Sequence, residues 1–396
     1  MTIMSIRIDV NLLAMTDQDN KKMDRIPLEE YRQRSAWFQA AMVEEGLDAL
    51  LVYSWKRGQV RYLSGYHPNY IANLALLVLP KEGSPALRIR FPFDLERARQ
   101  ESWIEDIAAS GSPLKMISDA ADALRRRGLA VGRIGMVTGD HVVEEMPYNL
   151  YTLLQRELPQ AVLVEAEGLL RRARLRKSPA EFNLLRLSAH LTQAGTEAAR
   201  QALKPGASEY EVVAAAEAAM RRLGAETHLV VISSKGISEL VGPPEDKVIE
   251  AGDNVILEIA VQKSGYTTQV ARVFYAGGPT PAQREIYAAA HGAYQAALAE
   301  ARPGNTCANL AAVIQHELDR NGLGQYLEQD MGHGIGIDLP EPPRIESEDH
   351  TPLEAGMALV IHPSVRVPGT GGAFLGGTAL IHDSGAEPIH TIPKSP

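Results

Sequence analysis

The chain has 396 residues, enough for two ordinary domains with sizeable cores. Its 45% hydrophobic and 22% charged content is that of a globular protein, and a net charge of -9 disfavours nucleic acid or an anionic membrane surface as partner. Cys307 is the single cysteine, which excludes an internal disulfide and fits a reducing compartment.

From Met1 to Met15 the apolar residues are interrupted by Arg7, Asp9 and Asn11, so the unbroken core of a signal peptide is missing. Leu28 to Glu45 carries apolar residues at helical spacing and ends at Gly46. Asp48 to Tyr53 reads as a short apolar strand, and Val60 to Gly65 leads through a polar loop to another, Leu74 to Leu79. That run is too short to span a bilayer, and a cytoplasmic protein is expected. Ala86 to Arg90, Arg133 to Met136 and Ala161 to Glu165 repeat the strand pattern between helices, which predicts an α/β layer arrangement.

A join falls near Glu167 to Lys177. Just after it, Ser178-Pro179-Ala180-Glu181 is a sharp helix start: Ser178 caps, Pro179 takes the first helical position and Glu181 closes a capping box. Ser208 with Glu211, and Thr280 with Gln283, repeat the device ahead of Ala-rich amphipathic helices. Gly224, Gly304 and Gly322 are expected stops, and Gly292 a weak point inside a helix. Strands Asp253 to Ala260 and Gly265 to Phe274 follow the second of these helices. After the last come Gly332-His333-Gly334-Ile335-Gly336, the strand Ala358 to Ile361 ending at His362-Pro363, and a glycine-rich run from Gly371 to Leu380.

The order of Lys177-Ser178-Pro179, Gly252-Asp253, Gly265-Tyr266, Arg272-x-Phe274, His333-Gly-x-Gly336, Glu341-x-Pro343, Gly356-Met357 and Pro363 resembles the pita-bread family of methionine aminopeptidase, aminopeptidase P, prolidase and creatinase. The resemblance covers nearly the whole chain. It implies an α+β protein, with a creatinase-like α/β N-terminal domain over residues 1–167 and a pita-bread catalytic domain over 168–396. The family's peptidases carry Asp, Asp, His, Glu and Glu at five points of this pattern. Here those points hold Glu258, Gln269, His333, His362 and Gly376. Two further family histidines are replaced by Val241 and Pro340, so creatine is not the expected substrate.

A carboxylate among apolar neighbours is costly to bury unless paired or protonated, so Glu258 reads as base, nucleophile or anchor for a cationic group. Gln269 cannot bridge two cations as a carboxylate does, but its amide can orient water or a substrate amide. His333, framed by glycines that let backbone and ligand approach, and His362 read as acid/base groups. Tyr70, Tyr266, His228, Glu341 and Arg344 are the candidate substrate contacts; Arg344 suits a carboxylate and Glu341 an amine. The resemblance further implies a homodimer, with the N-domain loop carrying Tyr70 near the partner's active site.

The expected function is metal-independent hydrolysis of a C–N bond in a small polar nitrogenous metabolite: an amidine, guanidino compound or amide. Creatinase and ectoine hydrolase are the family precedents, and no cofactor is expected. Glu258 would attack or activate water, and His333 or His362 would protonate the leaving nitrogen. Three alternatives stand beside it: a single-ion zinc or iron hydrolase or lyase using Glu258, His333 and His362, an Xaa-Pro-type peptidase, and a non-catalytic binding protein.

Overall fold

The computed structural model of the chain describes residues 24–55, 58–68, 74–139, 146–234, 241–328 and 330–395. Six strands form a first sheet: β1 (Ala49–Ser54), β2 (Ala75–Pro80), β3 (Ala86–Ile89), β4 (Asp106–Ala109), β5 (Arg133–Val137) and β6 (Val162–Glu165). Their order is β4-β3-β2-β1-β5-β6, parallel except where β2 pairs antiparallel with β1 and β3. Both central strands are buried throughout, as two-sided cover requires. Side chains alternate between the faces, so Leu50 and Val52 join one apolar cluster while Ala49, Leu51 and Tyr53 join the other. Val60 to Gly65 turns out to be helical: the Gln59–Ser64 helix ends where Gly65 takes a left-handed φ of 80°.

The second sheet contains β7 (Thr227–Ser233), β8 (Asn254–Lys263), β9 (Tyr266–Tyr275), β10 (Gly332–Gly334), β11 (Glu341–Arg344), β12 (Ala358–Ile361) and, past the small β13–β14 hairpin (Ser364–Val367, Gly371–Phe374), β15 (Gly376–His382). The order is β11-β10-β12-β15-β9-β8-β7, with β16 (Gly385–Pro388) pairing β15. Ser264 and Gly265, both at positive φ, make the two-residue turn that sets the β8–β9 register. Helices Pro179–Ala202, Glu209–Arg222, Pro281–Glu300 and Cys307–Arg320 surround the main apolar core with this sheet. All three expected capping boxes form. Thr306 with Asn309 makes a fourth, missed because Asn is not the usual residue at the third helical position of a capping box. Gly292 does not break its helix. No helix among the described residues is long and apolar enough to cross a membrane.

Buried charges join the two halves of the chain. Arg174 and Lys177 meet Asp338 and Glu341, and Asp338 also accepts the Gly58 N–H at 2.8 Å. Burial alone would raise the Glu341 carboxyl; Arg174 and Lys177 outweigh it and bring the group down to about 2. A carboxyl lowered in the folded state stabilises fully above its ordinary value of 4.5, and that contribution disappears as pH falls toward 2. It amounts to roughly 3 kcal/mol. Glu341→Gln is therefore expected to lose about 3 kcal/mol in urea denaturation at pH 7 and to show a shallower decline between pH 5 and 2 than the parent.

Candidate active site

Strand register gathers the site on the face of the second sheet turned away from the helices. Glu258 on β8 lies opposite Ala271, and Gln269 on β9 opposite Ala260, so their side chains share one face as diagonal neighbours. The Gln269 Nε2 amide donates to Glu258 Oε1 at 2.5 Å, leaving the buried Gln269 Oε1 without a partner among the described residues. Across the sheet, His333 on β10 lies between Val360 and Arg344, which puts Arg344 on that same face. His362 follows the end of β12, with ring centroids 5.4 Å from His333 and 5.0 Å from Phe374.

His333 Nδ1 is 2.8 Å from the Gly334 carbonyl, which can only accept, so Nδ1 carries the proton and Nε2 is an acceptor. Gly332 and Gly334 do not make room for a ligand. A Cβ on either would strike a backbone carbonyl of Val360 or Pro342, so they serve close strand packing. Gly376 is tighter still. Its missing side chain would point to the Glu258 face, where a Cβ would lie 1.9 Å from the Ile361 carbonyl oxygen and 2.6 Å from His362 Cα.

Burial raises the Glu258 carboxyl to about 7; the charge of Asp330 adds to the shift and the Gln269 hydrogen bond opposes it. Burial lowers His333 to about 4, with help from His362 and Arg344 and opposition from the Gly334 carbonyl and Asp330. His362 is lowered for the same first reason, with Asp330 opposing. At neutral pH the site thus holds two uncharged imidazoles and a carboxyl near half-protonation.

Asp330 was not foreseen. It is exposed, and the bonds Glu328 N–H to Ser364 and His362 N–H to Met331 lay its segment along His362. Its position three residues before His333 was the available signal. The Arg344 guanidinium has no hydrogen bond or ion pair among the described residues.

Three expected substrate contacts lie elsewhere. Tyr266 is buried between the domains, donating to Glu181 at 2.8 Å and accepting from Arg34 at 3.3 Å. Glu341 is committed to Arg174 and Lys177. His228 pairs across from Val261 on the helix side of the sheet and meets Glu217 at 3.3 Å. Tyr70 lies outside the described residues.

The chain is thus an α/β domain followed by a helix-backed sheet that carries two histidines and a protonatable glutamate on one face. Residues 183–383 match metallopeptidase family M24, and residues 34–176 match the creatinase/prolidase N-terminal domain. The chain belongs to metallopeptidase family M24. An Xaa-Pro dipeptidase from Pyrococcus horikoshii is 26% identical over 349 residues, covering 87% of this chain and 93% of that one. The probable dipeptidase PepE of Mycobacterium tuberculosis is 28% identical over 374 residues, covering 93% and 96%. The crystal structure of the prolidase from Pyrococcus horikoshii shares the fold with a TM-score of 0.80 at 24% identity, covering 91% of this chain and 99% of that one. These relatives carry dipeptidase names, which moves the weight of the comparison from non-peptide metabolites to the peptidase alternative.

A metallopeptidase family implies bound metal, and the residues at the five points do not fit a two-ion centre. Gln269 is neutral and gives one of its two amide N–H groups to Glu258, and Gly376 offers neither a carboxylate nor space for one. Among the described residues no group of three His, Cys, Asp or Glu side chains could hold a metal ion. The closeness of Gly376 to His362 makes a direct check: Gly376→Ala is expected to destabilise the protein by about 3 kcal/mol in thermal or urea denaturation, as overpacking against backbone does.

Proposed function

We propose that this chain hydrolyses an amide C–N bond in a short peptide or peptide-like substrate, with Glu258 as the proton-transfer group and no dinuclear metal centre. The observation that carries the reading is the half-buried Glu258 carboxyl, raised to about 7 and bonded to the Gln269 amide on the same face as two neutral histidines. The relatives' names support an Xaa-Pro dipeptide as the substrate class.

Ionised Glu258 takes a proton from water as the water oxygen attacks the carbonyl carbon. The second Nε2–H of Gln269, the one not bonded to Glu258, donates to the oxyanion that develops. The proton held by Glu258 passes to the leaving nitrogen as the C–N bond breaks, so water is divided between acid and amine and the carboxylate is restored. His333 Nε2 accepts a hydrogen bond from the attacking water or from a substrate N–H. The histidines, held neutral by burial, are poor acids near pH 7, so the acid role expected of them passes to Glu258. Arg344 takes the substrate carboxylate. A homodimer is part of the proposal on the strength of the family resemblance.

A second reading keeps the same groups but takes an amidine, guanidino compound or simple amide as substrate. The lost bridging carboxylates favour it, because they are what a peptidase of this family would retain.

The reaction is tested with Xaa-Pro dipeptides, cyclic amidines, guanidino acids and N-substituted amides, each with and without chelator. Turnover of dipeptides that survives the chelator is expected; turnover confined to the other compounds would transfer the assignment to the second reading. Two bound ions per chain, with activity lost on their removal, would sink both. Glu258→Gln should lower kcat by about 10³-fold, within the usual range for removing a general acid–base. Because the base must start ionised, kcat/KM should rise with pH through a midpoint near 7 and fall away below it.

A further inference from the structure

The second sheet has a seam. Glu258 and Gln269 belong to the β7–β8–β9 half, and His333 and His362 to the β10–β12–β15 half. Among the described residues, the strand pairs that join the two halves are Gly376 opposite Ala271 and Gly377 opposite Val270, and farther along β9 the Thr267 N–H donates to the Gly336 carbonyl at 2.7 Å. By contrast β8 and β9 pair over their whole length, from Asn254 opposite Tyr275 to Lys263 opposite Tyr266. Two residue pairs are a short ladder to hold one half of a site against the other.

Side chains reinforce it. Arg272 is 4% exposed and has no carboxylate partner among the described residues. Its Nη1 donates to the Ala271 carbonyl at 2.9 Å on one side of the seam and to the Gly376 carbonyl at 3.0 Å on the other. Its Nη2 donates to the Thr391 carbonyl at 2.8 Å, which ties in the segment after β16. That segment is itself bound to β15. The Thr378 N–H donates to His390 Nδ1 and the Ile389 N–H donates to the Thr378 carbonyl, each at 3.1 Å. With its backbone so engaged, Thr378 reaches β9 through its hydroxyl, accepting the Gln269 N–H at 3.1 Å and donating to the Gln269 carbonyl at 3.2 Å.

We infer that Arg272 is a positioning residue that, with Thr378, holds the Glu258–Gln269 half of the site in register with the His333–His362 half. A buried guanidinium suits the task because its planar fork reaches several carbonyls at once, which a lysine ammonium cannot match in geometry. The route to the site is short: Arg272 grips Gly376, Gly376 packs on His362, and Thr378 grips Gln269. The inference rests on the proposed reaction only for its kinetic consequences.

The test compares Arg272→Met, Arg272→Lys and Thr378→Val with Ile314→Ala, a core truncation in the Cys307–Arg320 helix that destabilises without touching the seam. In protein carrying ¹³C-labelled histidine, the ring signals of His333 and His362 are read against those of exposed His190 and His316. In Arg272→Met the His333 and His362 signals should move while His190 and His316 stay, and Arg272→Lys should return part of the way. Ile314→Ala should lower the melting temperature and move none of the four. If Arg272→Met does not fold, Arg272→Lys and Thr378→Val carry the comparison. Folded seam variants whose His333 and His362 signals coincide with the parent's would overturn the inference, whatever the substrate proves to be. With an Xaa-Pro dipeptide, kcat for Arg272→Met should fall about 10–100-fold with KM within roughly threefold, the pattern of misaligned groups rather than lost binding.

Discussion

The strands on either side of Gly376 approach so closely that no side chain fits between them. Much of the site follows from that contact. It lets the carbonyl end of β12 and the start of β15 lie against each other, which brings His362 to the end of the same face that carries Glu258 and Gln269. It also removes one of the positions from which the family's carboxylates project. Close packing and altered chemistry are here the same structural fact, because a carboxylate at 376 and the present backbone path exclude each other.

Two glutamates, Glu341 fully buried and Glu258 half-buried, show how surroundings divide chemistry from architecture. Desolvation pushes both carboxyls up. Glu341 has Arg174 and Lys177 within bonding distance, and their attraction overcomes the desolvation, so it is an ionised joint that ties the segment around Arg174 and Lys177 to β11. Glu258 has no cation beside it among the described residues; its charged neighbour is the anionic Asp330, and the one interaction that lowers it is the hydrogen bond from the neutral Gln269 amide. It is left near half-protonation, the condition in which a carboxyl both takes and gives a proton at neutral pH. The histidines, more deeply buried than Glu258 and facing Arg344, lose the charge that would have made them acids.

Much of the fold was legible because its signals are local. Capping boxes at Ser178, Ser208 and Thr280 depend on residues three apart, and the apolar runs of β1 and β2 report two-sided burial directly. Of the site, Glu258, Gln269, His333 and His362 were read from the spacing of a family pattern. The misplaced residues share a cause, since belonging to a motif does not say which way a side chain faces. Tyr266 and Gln269 lie three apart on one strand, so period-two alternation puts them on opposite faces, and Tyr266 reaches Glu181 at the start of the helix behind. His228 needed the β7–β8 register, which no local signal supplies.

What the chain's own residues determined, then, is the identity and order of the elements: where helices begin, which strands are buried and which polar side chains interrupt them. Those depend on interactions within a few residues. Which side chains share a face, which buried carboxyl keeps its charge and how the two halves of the sheet are joined were decided only by tertiary structure. Each depends on groups brought together from distant parts of the chain, as Arg272 is with Gly376 and Thr391, and no spacing along the sequence records that meeting.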